Sequence, residues 1–185
     1  ARAIREKYGP ADVILGRHVF AHVPEIHGFV LGLKDLLAPA GVVAIEAPYL
    51  VDFLEQTEFD TVYHEHYSYL CLASMAHLFR GYDMEVFDAE HVPIHGGSLI
   101  YFIGHRGAHP VSKRVIEFAA EEERKGLNRR ETYMRFAEAA AKVKDDLLSL
   151  LRKLKAEGKM LAAYGAPAKG NTLLNYCGIG TDLVP

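Results

Sequence analysis

Apolar positions along this chain fall into short runs separated by stretches of helical spacing. Ala3 to Lys7 reads as the end of a helix, Gly9-Pro10 breaks it, and Ala11-Asp12-Val13-Ile14-Leu15 is an apolar run of the length of a buried strand. Pro24 then opens a segment in which Ile26, Val30, Leu33 and Leu37 recur at helical spacing, with Pro39 as its stop. Gly41-Val42-Val43-Ala44-Ile45-Glu46 is a second strand, so the pattern predicts a right-handed βαβ crossover in a parallel sheet. Ser74 caps a short helix through Met75, Leu78 and Phe79 that Gly81 closes. Tyr82 to Phe87 and Ser98 to Ile103 are two further strands, expected to pair at the sheet's edge across His95-Gly96-Gly97.

From Glu131 to Glu157, Phe136, Ala140, Val143, Leu147, Leu150 and Leu154 stand alternately four and three apart, the stripe of one long amphipathic helix. After Gly158 the pattern restarts. Lys159 to Tyr164 reads as a strand, Gly165 to Gly170 as a small-residue turn and Asn171 to Cys177 as a helix. A lone strand and helix ending at Val184-Pro185 cannot bury their own faces, so further residues are expected beyond Pro185. The expected fold class is α/β, divided into residues 1–105, a helical connector 106–158, and 159–185 as the start of a second, Rossmann-like α/β domain.

Composition narrows the functional classes. The 185 residues suffice for one core or one and a half domains; they are 50% hydrophobic and carry a net charge of −3, so no basic excess points to nucleic acid. No apolar run approaches the ~20 residues of a membrane span, and the first residues lack a signal peptide's apolar stretch, which leaves the cytoplasm as the expected location. Cys71 and Cys177 stand far apart and read as core residues. Ten histidines are an unusual supply of groups that titrate near neutrality.

Four segments could carry chemistry. Phe59 to Tyr69 breaks the periodicity and holds Tyr63, His64, Glu65 and His66, a phenol, a carboxylate and two imidazoles. If extended, His64 and His66 share one face and Tyr63 and Glu65 the other; a helix start would group them differently. The same residues fit a metal site completed by His95, or a polar loop bonded to its own backbone. In Val92 to Ser98, Gly96 and Gly97 let a ligand approach the backbone closely, or simply form a turn. Gly165 to Asn171 is a strand-to-helix turn suited to an anion or to tight packing alone, and it matches neither the Walker nor the GxGxxG spacing. Arg17 to His22 ends the first strand, at the ligand-binding edge of an open α/β sheet.

Taken in order, Glu46-Ala47-Pro48-Tyr49-Leu50, Phe59-Asp60 with Tyr63-His64-Glu65-His66, Pro93-Ile94-His95-Gly96-Gly97, Tyr164-Gly165-Ala166 with Ala168-Lys169, and Asn175 to Gly180 resemble the sugar C-methyltransferases of deoxysugar pathways. The resemblance covers nearly the whole chain. It implies an S-adenosylmethionine-dependent enzyme that methylates the carbon alpha to the keto group of a nucleotide-linked sugar. It also implies that this stretch is the latter part of a class I methyltransferase-like sheet. The cysteine cluster of the family's zinc domain and its glycine-rich cofactor loop are not in these residues. The chain is therefore expected to be a piece, inactive alone, with zinc bound only in an N-terminal domain outside it and no metal of its own.

Carried over residue by residue, the resemblance gives the base role to His66, with Tyr63 and Glu65 beside it and His22 or Tyr63 as donor to the enolate oxygen. His95, Gly96 and Gly97 are the expected sugar contacts, Lys169 and Asn171 the expected diphosphate contacts, and His18, Val19 and Phe20 the expected contacts to S-adenosylmethionine. The expected partner is a nucleotide-linked keto-sugar, with no nucleic acid and no membrane, and a homodimer to cover the exposed sheet edge. A methyltransferase with another small acceptor, or a non-catalytic module that associates through the long helix, are the alternatives.

Overall fold

The computed structural model describes residues 1–184; Pro185, the end of the expected C-terminal segment, lies outside the described residues. The chain forms two compact units, one of Ala1–Phe53 and Tyr67–Asn128, the other of Leu54–His66 and the residues from Arg129 onward.

The first unit runs α1 (Arg2–Tyr8), β1 (Ala11–Arg17), α2 (Ile26–Leu36), β2 (Leu37–Pro48), α3 (Leu50–Glu55, which leaves the unit after Phe53), α4 (Leu72–Arg80), β3 (Met84–Val92), β4 (Ser98–His105) and α5 (Lys113–Lys125). The four strands form one sheet in the order β1-β2-β4-β3. β1 and β2 are parallel, joined through α2, while β4 is antiparallel to both of its neighbours. This is an α/β methyltransferase-like arrangement, with the expected βαβ unit and the expected pair of late strands at one edge.

Two differences from the sequence pattern have physical causes. Leu37 begins β2 instead of ending the helix, because it pairs opposite Ala11 and is 2% exposed; Pro39 falls where the register jumps from Ala11↔Leu37 to Val13↔Val42, a place that needs no ladder donor. β1 is not the buried strand its apolar run suggests. Val13 and Leu15 point to the same side and are 61% and 71% exposed, since β1 pairs only with β2 among the described residues and this side of it is uncovered.

The opposite side of the sheet is the core. Val43, Ile45, Ala47, Leu99, Tyr101 and Ile103 alternate along β2 and β4 and are almost fully buried, under Val30 and Leu33 of α2 and Met75 and Phe79 of α4. Phe20 is wholly buried, its ring 5.7 Å from Phe29 and 6.0 Å from Phe79. Glu122 of α5 is also buried; its carboxylate accepts the main-chain N–H groups of Leu72 and Ala73, the donors left over at the start of α4.

In the second unit, α6 (Arg130–Ala156) and α7 (Ala168–Cys177) accompany the 3-10 turn Phe59–Thr61. Tyr176 of α7 packs its ring 4.9 Å from that of Phe59, with the Lys144 ammonium over its face. The helix expected over 131–157 is present, but its buried line drifts from the expected stripe. Ala140 and Leu148 are buried, whereas Leu150 is 51% exposed, because a straight helix with 3.6 residues per turn rotates away from a seven-residue repeat. No strand forms over 159–164; Met160 and Tyr164 are fully exposed, and no described strand lies alongside to accept its backbone bonds. Among the described residues no helix is long and apolar enough to cross a membrane.

Candidate active site

At the carboxyl ends of β1 and β2, adjacent strands bring two polar residues into register, Arg17 opposite Glu46. The chain leaves β1 through His18, which takes a left-handed backbone (φ 51°) and donates its N–H to the Glu46 carbonyl at 2.8 Å. That turn carries the His18 ring back over β2, where Nε2 lies 2.7 Å from Oε1 of Glu46. Oε2 of the same carboxylate accepts Nε–H of Arg17 at 2.8 Å. Burial works to raise the Glu46 pKa, but the hydrogen bonds and positive charge of Arg17 and His18 outweigh it and hold the carboxyl below its ordinary value. Glu46 is therefore ionised and only accepts, so the His18 nitrogen facing it must be the one that carries a proton.

The turn before β4 approaches the same place. His95, Gly96 and Gly97 have φ of 54°, 85° and 132°, three successive positive values that reverse the chain before Ser98 enters the sheet. The His95 ring meets that of His18 edge to face, centroids 4.5 Å apart and planes at 82°. Gly97 is required here for a second reason: a Cβ on it would lie 2.3 Å from Cγ of Asp52. Asp52, on α3, pairs at 2.8 Å with Nε2 of His91 on β3, and Gly97 gives its carbonyl to the Tyr49 N–H at 3.0 Å. The turn is thus pinned between the end of β2, α3 and β3.

His18, Val19 and His95 are presented at this edge, Val19 with 46% of its surface exposed. The ring of Phe20 is fully buried against Phe29 and Phe79. His22 is half-buried in the 3-10 turn Phe20–His22, which is tied down by the Tyr67 N–H donating to the Ala21 carbonyl at 2.9 Å.

The second unit carries the other cluster. After the 3-10 turn Phe59–Thr61 the chain folds back on itself, with Tyr63 N–H donating to Thr61 and His66 N–H donating to Tyr63. This compact turn, not an extended strand, groups Tyr63 with His66, ring centroids 4.4 Å apart. Nδ1 of His66 lies 2.8 Å from the Thr61 carbonyl, which can only accept, so Nδ1 bears the proton and a neutral His66 keeps its lone pair on Nε2. His66 is half-buried, whereas the side chain of His64 is 87% exposed and within 3.9 Å of Glu65. Burial, with the charges of Glu65 and Asp60, pushes the Tyr63 phenol up, which keeps it a hydrogen-bond donor.

Lys169 and Asn171 lie in the first turn of α7; the Asn171 side-chain oxygen accepts the Asn175 amide at 2.9 Å. Among the described residues no three His, Cys, Asp or Glu side chains gather as metal ligands. Sequence reasoning left Glu46 and Asp52 unassigned. Glu46 carried one usable signal, an acid in the last position of an otherwise apolar buried strand; Asp52 carried none, since its role depends on a glycine 45 positions away.

Residues 93–185 match the family described as C-methyltransferase C-terminal domain. The chain is also similar to C-methyltransferase NovU of Streptomyces niveus, 41% identical over 178 residues, which are 96% of this chain and 42% of that protein. The chain thus spans about two-fifths of the length of that relative.

Proposed function

Because this chain belongs to the C-methyltransferase family, we propose that the protein carrying it methylates the carbon alpha to the keto group of a nucleotide-diphosphate-linked deoxysugar, with His66 as the base. The observation that carries the base assignment is the hydrogen bond from His66 Nδ1 to the Thr61 carbonyl. It fixes the tautomer whose Nε2 can take a proton, and no such bond orients the exposed His64.

The steps that belong to these residues are proton removal and charge stabilisation. His66 Nε2 takes the proton from the carbon alpha to the ketone and becomes imidazolium, with the Tyr63 ring against it at 4.4 Å. The electron pair left on that carbon delocalises onto the ketone oxygen, where the neutral Tyr63 hydroxyl or His22 donates a hydrogen bond. Glu65 is the third polar group of this cluster, and its negative charge helps to keep the Tyr63 phenol protonated. His95 and the backbone of Gly96 and Gly97 contact the sugar, and Lys169 and Asn171 the diphosphate.

S-adenosylmethionine, when bound, supplies the electrophilic methyl group. The carboxyl edge of β1 and β2 fits it chemically: Val19 offers exposed apolar surface, and His18, with one nitrogen donating to Glu46, offers the other as an acceptor for an amine or hydroxyl.

The test is made on the full-length protein with a thymidine-diphosphate-linked 4-keto sugar, following methyl transfer and solvent-deuterium exchange at the alpha carbon. His66→Asn is expected to lower both by about 10²–10⁴-fold, the usual worth of a positioned base. Undiminished exchange in His66→Asn refutes the base assignment, and absence of transfer by the unaltered protein refutes the acceptor.

A further inference from the structure

We infer that Glu46 is a positioning residue for the cofactor end of the site: it locks His18 as the Nε2–H tautomer, so that Nδ1 is presented as a hydrogen-bond acceptor to a nucleoside hydroxyl or amine. This rests on the methyltransferase reading above.

Two contacts join one residue pair. The Glu46 carbonyl accepts the His18 N–H at 2.8 Å, and the Glu46 carboxylate accepts the His18 ring at 2.7 Å, so backbone and side chain of His18 are held by the same neighbour. The carboxylate side chain is only 5% exposed, while the His18 side chain is 26% exposed. The carboxylate is thus buried behind the imidazole and the more exposed Arg17 guanidinium. Arg17 completes the carboxylate's coordination, through Nε at 2.8 Å and Nη2 at 3.4 Å, which keeps it ionised and unable to donate back to the ring.

The ring has little freedom left. His95 closes against it at 4.5 Å with planes at 82°, and the left-handed backbone of His18 sets its direction. A carboxylate that orients an imidazole through one nitrogen defines what the other nitrogen can do, a relation familiar from metal-binding and catalytic histidines. Here the other nitrogen is Nδ1, and in the neutral ring it can only accept. A bare Arg17–Glu46 ion pair would need neither the ring contact nor the buried carboxylate.

The experiment uses the full-length protein. In ¹⁵N-histidine NMR spectra, His18 should show a pyrrole-type Nε2 and a pyridine-type Nδ1, and Glu46→Gln should mix the two tautomers. In steady-state assays Glu46→Gln should raise KM for S-adenosylmethionine about tenfold, with kcat and the keto-sugar KM changed by less than about twofold, the pattern of lost ground-state binding. His18→Phe should give the same KM change, and the double variant no more than either alone, because both remove one interaction. Additive effects, or a wild-type His18 that carries its proton on Nδ1, overturn the inference. If Glu46→Gln does not fold, the wild-type tautomer still decides it. If the unaltered protein transfers no methyl group, the functional reading fails, and the NMR result judges Glu46 separately.

Discussion

Gly97→Ala should be among the most damaging single-methyl additions in the first unit, and its cost divides into two separable parts. The residue sits at φ 132°, outside the region that residues with a Cβ adopt, at a cost of about 1–3 kcal/mol. The new methyl carbon would also fall 2.3 Å from Cγ and 2.7 Å from Cβ of Asp52, closer than van der Waals contact allows, so the turn or α3 must shift; overpacking of this kind costs about 1–3 kcal/mol. The sum is about 4 kcal/mol, or about a thousandfold in an opening equilibrium. Hydrogen exchange at the amides of Leu99 to Ile103, read by mass spectrometry on the full-length protein, should lose protection by that factor. Asp52→Ala alone removes the exposed pair with His91, worth about 0–1 kcal/mol. The double variant loses the contacts to Cγ and Oδ2 but keeps Cβ of residue 52 at 2.7 Å, so it should recover only part of the overpacking cost and stay impaired by the remainder and by the backbone part. An additive cycle, or a loss below about 1 kcal/mol in Gly97→Ala, refutes the close approach between the turn and α3.

Other outcomes follow from the same structure. Glu122→Ala should destabilise the first unit by about 3–5 kcal/mol, since it removes a buried carboxylate and leaves the Leu72 and Ala73 N–H groups without an acceptor; exchange protection in α4 reads it, and a loss under 1 kcal/mol contradicts the cap. Acid should weaken the first unit. Glu46 is held below its ordinary 4.5 because the bonds from Arg17 and His18 overcome burial, and Asp88 below 3.8, chiefly by the hydrogen bond from Arg114. Their unfolded forms bind protons first, so their stabilisation is whole above those ordinary values and disappears as pH falls through the lower folded ones. Unfolding followed against pH should therefore show a flatter acid limb in Glu46→Gln with Asp88→Asn, and an unchanged limb rules these two groups out.

Much of the sheet was legible because its signals are local. Apolar runs marked the place of all four strands, though β2 begins four residues before and β3 ends five residues after the expected bounds, and the βαβ unit followed from the helical spacing of Ile26, Val30 and Leu33. Where the reading failed, the deciding contact was distant in sequence. Leu37 became strand because Ala11 lies opposite it, and Val13 and Leu15 are exposed although their pattern reads as buried, because burial depends on what covers a strand. The segment 159–164 has strand-forming residues and no described neighbour to complete a ladder.

The candidate site divides in the same way. The Tyr63 to His66 cluster was visible from residue types alone, yet its grouping depended on whether the chain extends or turns. The bonds of Tyr63 and His66 back to Thr61 and Tyr63 decide that, pairing Tyr63 with His66 and leaving His64 outside. Histidines are informative in a sequence because they are chemically distinct, whereas the groups that give them direction are ordinary: a threonine carbonyl for His66, a strand-end glutamate for His18. One carbonyl and one carboxylate have opposite consequences. In the neutral rings the bond at Nδ1 of His66 leaves the lone pair on Nε2, as the proposed base role requires, and the bond at Nε2 of His18 leaves it on Nδ1, as the proposed cofactor contact requires. The different work proposed for these two histidines rests on which nitrogen is tethered, and that tether is readable only once the fold has brought the oxygen to each.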